Sequence, residues 1–119
     1  MTNKKQITPR REILLEAADL VDGDRNAQYG DPNDDFMRTA IYWSTHIGGV
    51  FRRKISEANL PQKVDLDHVL AILDDLIDPH DVAIMMTQLK ISRLSWSPEK
   101  RDHYADSAGY MACGWDTVS

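Results

Sequence analysis

The stretch HDVAIMMTQLKISRL, residues 80–94, decides the fold. Ala83, Ile84, Met85, Met86, Leu89 and Leu94 fall around nearly the whole circumference of a helix, and Val82 and Ile91 widen that surface further. A helix that is apolar on all sides is stable only when other helices wrap it. Asp78 and Pro79 stand before it as a cap and a first helical residue, and Asp81 lies in the first turn, where the helix dipole favours negative charge. Lys90 and Arg93, three residues apart, share one face of this same helix. Burying two cations without partners is costly. They must either reach the rim through their aliphatic stems or meet anions, and those anions are carboxylates of the fold itself or a bound phosphate.

The wrapping helices lie on both sides. Upstream, REILLEAADLV places Ile13, Leu14, Ala17, Leu20 and Val21 on one side of an amphipathic helix that ends near Asp22-Gly23. DGDRNAQYGDP, residues 22–32, is dense in Gly, Asp and Asn and reads as a structured loop. Asp31 and Pro32 then open a second helix with Phe36, Ala40, Trp43 and Ile47 as its core stripe, which Gly48-Gly49 should weaken or end. Residues 50–64 read as a helical extension and a loop around Pro61, and VDLDHVLAILDDLID as a short acidic helix inserted between the core helices. Downstream, Ser97-Pro98 repeats the cap-then-proline signal for a final helix, with Gly114 as its C-terminal cap. No segment alternates as a strand does. The expectation is an all-α domain over residues 1–119: a four-helix-bundle-like core with a short inserted helix, preceded by a flexible tail of residues 1–9.

Composition narrows the function. In 119 residues, 14 Lys and Arg are outnumbered by 19 Asp and Glu, for a net charge of −5. A phosphate-tracking groove for duplex nucleic acid needs clustered cations, so that partner is not expected. Nothing reads as a signal peptide or as a spanning run of roughly 20 apolar residues, and Cys113, the single cysteine, can form no intrachain disulfide. The expected setting is a reducing cytoplasm. Helix 80–94 is too apolar for a thin bundle to cover, and small-residue helices pack closely across two-fold axes, so a homo-oligomer, dimer or tetramer, is expected.

RDHYADSAGYMACG, residues 101–114, carries Asp102 and Asp106 one turn apart at the edge of a stripe formed by Ala105, Ala108, Gly109 and Ala112. Paired carboxylates at a helix contact repel each other unless a cation intervenes, and Mg²⁺ held by carboxylates and substrate phosphates is the usual hard-ion solution. Lys90 or Arg93 could serve instead. Glu12, Glu16 and Asp19 on the first helix add carboxylates, and acids from two facing helices are how a bundle builds a metal site. His80, at a helix start, meets either a phosphate or solvent. Tyr29 and Gly30 could form a pocket wall, an aromatic face beside a backbone that a ligand can approach. There is no P-loop, no dinucleotide-binding glycine pattern, no zinc spacing and no Ser-His-Asp grouping.

Taken together, GDRNAQYGDPNDDF, PHDVAIMMTQLKISRL and RDHYADSAGYMACG resemble the small phage-encoded MazG-like nucleotide pyrophosphohydrolases, a divergent branch of the all-α NTP pyrophosphatase group. The likeness spans roughly residues 12–114, apart from about 50–76, and lies in the order of these blocks. It implies an oligomeric four-helix core that uses Mg²⁺, or Mn²⁺, to cleave a (d)NTP to (d)NMP and pyrophosphate. It further implies Asp102 and Asp106 as metal ligands and catalytic carboxylates, joined by Glu16 and Asp19, with Lys90 and Arg93 on the phosphates and Arg25 and Tyr29 as loop contacts to the nucleotide. An ExxD spacing is present at Glu16–Asp19, and the group's usual ExxE is absent. Two other readings follow from the same residues: a non-catalytic protein that sequesters a nucleotide or nucleotide-like small molecule, and an interaction module in which Lys90, Arg93, Asp102 and Asp106 form an internal salt-bridge network.

Overall fold

The structure, a computed structural model, describes residues 6–23 and 25–119, apart from the side chains of residues 22 and 26. Among these residues there are six helices, α1 (Pro9–Asp22), α2 (Arg25–Tyr29), α3 (Pro32–Glu57), α4 (Leu66–Asp74), α5 (Pro79–Leu94) and α6 (Arg101–Val118), and no strand. The protein is all-α. Of the expected flexible tail, residues 1–5 lie outside the described residues, while the Thr8 side chain accepts from Arg11 N–H and Pro9 already begins α1.

Local signals account for most helix starts. Asp31 Oδ1 accepts from the backbone N–H of Asn33 at 2.8 Å and Pro32 takes the first position of α3. Asp65 and His68 close a reciprocal capping box on α4, and at α5 the Asp81 carboxylate accepts from Asp78 N–H at 2.9 Å. Three expectations need correction. The 22–32 segment is not only loop, since Arg25–Tyr29 closes a short helix. Gly48-Gly49 does not end α3, which runs on to Glu57: two glycines each cost about 1 kcal/mol of helix propensity, and α3 contacts to α5 and α4 on either side of them offset that. The last helix starts at Arg101, not at Ser97-Pro98: residues 97–100 form a separate turn closed by Lys100 N–H on the Ser97 carbonyl, with the Ser97 hydroxyl donating to the Gln28 carbonyl.

The packed part consists of α3, α5 and α6. From α3 to α5 the pairs His46–Asp81, Trp43–Met85, Thr39–Ser92 and Asp35–Arg93 run in opposite senses, so the two helices are antiparallel. Asp106 against Lys90 and Gly114 against Ala83 show the same for α6 on α5. Gly114 is therefore no C-cap; it is a buried point of close approach inside α6, where an added Cβ would lie 2.9 Å from that of Ala83. The centre of these contacts is polar. Val50 is the one buried hydrophobic side chain among the described residues, beside Asp35, Thr39, Asp81, Thr87, Ser92, Ser97 and His103. The core stripe read at Phe36 and Ala40 is exposed, and α1 packs chiefly on α2 with Leu14 and Leu20 both 67% exposed.

Candidate functional site

The short helix α2 is held to the α5–α6 turn by side chains of that turn. Trp96 Nε1 donates to the Ala27 carbonyl at 3.1 Å, Ser97 to that of Gln28, and Lys100 Nζ reaches Gln28 Oε1 at 2.7 Å and the Tyr29 hydroxyl at 3.2 Å. Gly30 (φ +81°) lies under the Trp96 ring, where a Cβ would be 3.1 Å away. The close approach that Gly30 permits is thus made by Trp96. On the other flank, Arg38 donates to the Tyr29 carbonyl at 3.3 Å.

These fastenings hold Tyr29 among cations. The Arg93 guanidinium lies 4.1 Å from its ring centroid, Lys100 Nζ 4.6 Å and Arg25 5.7 Å, so positive charge covers the aromatic ring, an arrangement favoured by the ring quadrupole. A base would have to displace Arg93 to stack on that face. Asp35, fully buried, accepts from Arg25 at 3.0 Å and from Arg93 Nε at 3.4 Å, which fixes both guanidinium groups from beneath. Thr39, one turn further along α3, and Ser92, next to Arg93 on α5, share a buried 2.7 Å hydrogen bond. Lys90 pairs with Asp106 at 3.0 Å. Among the described residues of the cluster itself Arg25, Lys90, Arg93 and Lys100 stand against the carboxylates of Asp35 and Asp106, with Asp19 and Glu99 further out beside α2. A surplus of positive charge in a chain of net charge −5 is an anion site in electrostatic terms.

A cleft of about 430 Å³, lined by Asp19, Leu20, Arg25, Gln28 and Tyr29, adjoins α2, and another of about 440 Å³, lined by Ala27, Gln28, Ser97, Glu99 and Lys100, shares Gln28 with it. Volumes of this order take small ligands. His103 completes the cluster, with its ring centroid 5.9 Å from that of Tyr29. Burial, then the charges of Lys100, Lys90 and Arg93, hold its pKa below the ordinary 6.5, with Asp106 opposing them. The ring is neutral at pH 7.

Of the residues singled out in the sequence, Lys90, Arg93, Arg25, Tyr29 and Asp106 meet here, and Asp19 lines the adjoining cleft. Asp102 and Glu16 are exposed and make no hydrogen bond or ion pair among the described residues. Glu99 and Asp102 also have the ExxD spacing, but Glu99 precedes α6, so spacing alone does not put them on one helix face. His80 lies at the N-terminal end of α5, away from this cluster, where Asp78, His80 and Asp81 bring ligand atoms within 4.8 Å of one another. That is the one group among the described residues with metal-ligand spacing, and Asp102, Asp106, Glu16 and Asp19 form none. Lys54 approaches Asp78 at 3.3 Å and His46 reaches Asp81 at 2.9 Å, so hydrogen bonds and helix capping already satisfy those carboxylates. Asp35, Lys100 and His103 were not legible as site residues, because each gains its role through partners distant in sequence.

A domain of unknown function, DUF6378, matches residues 12–118. The chain belongs to the DUF6378 family. It is 31% identical over 101 residues to the Gene 55 protein of Mycobacterium phage D29, which covers 85% of this chain and 50% of the relative. It is also 29% identical over 98 residues to the Gene 55 protein of Mycobacterium phage L5, 82% of this chain and 47% of that one. The chain thus spans about half the length of these phage relatives. No solved structure matches it. No helix among the described residues of this family member is long and apolar enough to cross a membrane.

Proposed function

We propose that this DUF6378 protein binds a phosphorylated nucleotide at the cationic cluster around Tyr29. The observation that carries the reading is the convergence of Arg25, Arg93 and Lys100 on one tyrosine ring, beside Lys90 and two clefts of ligand size. Phosphate oxygens would lie against Lys100 and the guanidinium groups, whose orientation Asp35 fixes in advance. Mg²⁺, expected from the resemblance, does not fit the single chain: Asp106 is engaged by Lys90, and the other carboxylates named for it do not converge. Binding without turnover is therefore the reading that one chain supports best.

A second reading, metal-dependent pyrophosphohydrolysis of a (d)NTP to (d)NMP and pyrophosphate, draws on one observation. Glu12 and Glu16 stand exposed on α1, a helix whose apolar residues have no cover. In an oligomer this helix could bring further carboxylates to a neighbouring cluster.

Calorimetry with ribo- and deoxynucleoside triphosphates, with and without Mg²⁺ or Mn²⁺, and product analysis of the same samples distinguish the two readings. Intact nucleotide after tight binding supports sequestration, whereas monophosphate with pyrophosphate supports hydrolysis. Lys100→Met, which removes one cation from the ring and leaves the Asp35 pairs in place, is expected to weaken binding about tenfold. Unchanged affinity in a folded Lys100→Met protein would overturn the placement of the site.

A further inference from the structure

His103 is 1% exposed, and neither Nδ1 nor Nε2 has a hydrogen-bond partner. Buried polar atoms are normally satisfied, and each exception in a native chain needs a reason. Packing supplies none here, because Leu or Met would fill a similar volume beside Tyr29 without idle nitrogens. The surroundings of the ring are charged: Lys90 and Arg93 come from α5, Lys100 from the α5–α6 turn, Asp106 from α6 itself, and the Tyr29 ring from α2. A second idle donor lies on the other contact of the same tyrosine. Arg25 gives Nη2 to Asp35, while its Nη1 is buried and unpartnered. Both idle groups belong to residues within 6 Å of Tyr29, Arg25 at 5.7 Å and His103 at 5.9 Å from its centroid. Two unspent donors among surplus cations call for an acceptor-rich anion.

We propose that His103 is a ligand-contacting residue of this cluster, giving a ring N–H to an oxygen of a di- or triphosphate chain while Arg25 Nη1 takes another. This rests on the nucleotide-binding reading and adds to it the group that discriminates for the phosphate chain. Being neutral, the ring has one donor nitrogen, which a phosphate oxygen satisfies without a further proton having to be forced among Lys90, Arg93 and Lys100. The cost of the orphaned N–H falls on the unliganded protein, and the ligand relieves it.

The test uses inorganic pyrophosphate as probe on the full chain. In calorimetry, His103→Leu is expected to lose about tenfold or more in affinity, while its thermal midpoint without ligand stays level or rises, since an orphaned polar group has been removed. His103→Gln, which keeps an N–H donor, is expected to retain most of the affinity. The ring nitrogen resonances of His103 in the wild-type protein should shift on saturation with pyrophosphate, a readout that needs no variant. Pyrophosphate binding to His103→Leu as tight as to wild type, or ring resonances that do not move while the probe binds, would overturn this inference and leave the cluster reading intact. A lowered midpoint together with lost affinity would make His103 a packing residue and overturn it too. Absence of pyrophosphate binding by wild type would instead remove the reading on which it rests.

Discussion

At the start of α5 a single carboxylate serves donors from two helices. Asp81 Oδ2 accepts from Asp78 N–H at 2.9 Å, and Oδ1 lies 2.9 Å from His46 Nε2 on α3 and 3.5 Å from His80 Nε2. Burial pushes its pKa up, but the backbone bond, the His46 bond and the electrostatic influence of His80 and His46 outweigh that and leave it below the ordinary 3.8. A carboxyl with a depressed folded-state pKa stabilises the fold fully above its unfolded pKa, and that contribution is lost as pH falls through the lower folded value. Asp81→Asn, which keeps an oxygen for Asp78 N–H but loses the charge, is therefore expected to cost about 2 kcal/mol at pH 7 from the lost charge-assisted bonds. The gap to wild type should narrow as pH drops below 3.8. Urea unfolding of both proteins at pH 7 and in the acid range checks this; a gap that is the same at both would mean the ionised form carries no advantage. The Lys90–Asp106 pair differs in kind, since Asp106 is 47% exposed and water screens it.

Among the helices, two kinds of glycine make opposite predictions. Gly49 lies within α3 with nothing inside 4 Å of a built Cβ, whereas a Cβ on Gly114 in α6 would meet that of Ala83 at 2.9 Å. Gly49→Ala should stabilise by about 0.5–1 kcal/mol through helix propensity and a less free unfolded chain. Gly114→Val should destabilise by about 1–3 kcal/mol, because α5 and α6 must move apart. Thermal unfolding of the two variants side by side separates propensity from packing, and a stable Gly114→Val would contradict the close α5–α6 contact. The same contrast explains what the sequence made legible. The starts of α3 and α5 could be read because Asp-Pro signals act within one turn. Ser97-Pro98 misled because the contacts that hold that turn, Ser97 and Lys100 to Gln28, are distant in the chain. Lys90 and Arg93 stood out as cations on an apolar helix. Asp35 did not, since in sequence it is one of two adjacent aspartates, and only its ion pairs with Arg25 and with Arg93, 58 positions away, distinguish it. Lys100 and His103 gain their roles in the same way, against Tyr29 on α2.

For the molecule as a whole, exposed area poses the sharpest problem. The chain exposes 9294 Å², where a compact monomer of this mass would expose about 6,600 Å². Its radius of gyration is 20.4 Å and its longest extent 76 Å, against about 13.5 Å for the radius of a compact chain of this length. The excess is apolar in character: Ile13, Leu14 and Leu20 on α1, Phe36 and Ile41 on α3, and Trp115 on α6 are each more than half exposed. A surplus of some 2,700 Å² by that comparison is in the range that obligate interfaces bury. Among the described residues one buried valine and the half-buried apolar side chains of α5 are a small core against the backbone entropy of six helices. We therefore expect helices of a second copy to cover these faces and complete the bundle, with folding and association inseparable. Light scattering should give a dimer or tetramer, and the unfolding midpoint should fall on dilution. Leu14→Asp, on a helix with no apolar cover of its own in the single chain, should shift the equilibrium to smaller species and lower helicity with it. A strict monomer that keeps its full helix content at micromolar concentration would show instead that α1 folds back on α3, α5 and α6, and the clefts beside Tyr29 would then have a different wall.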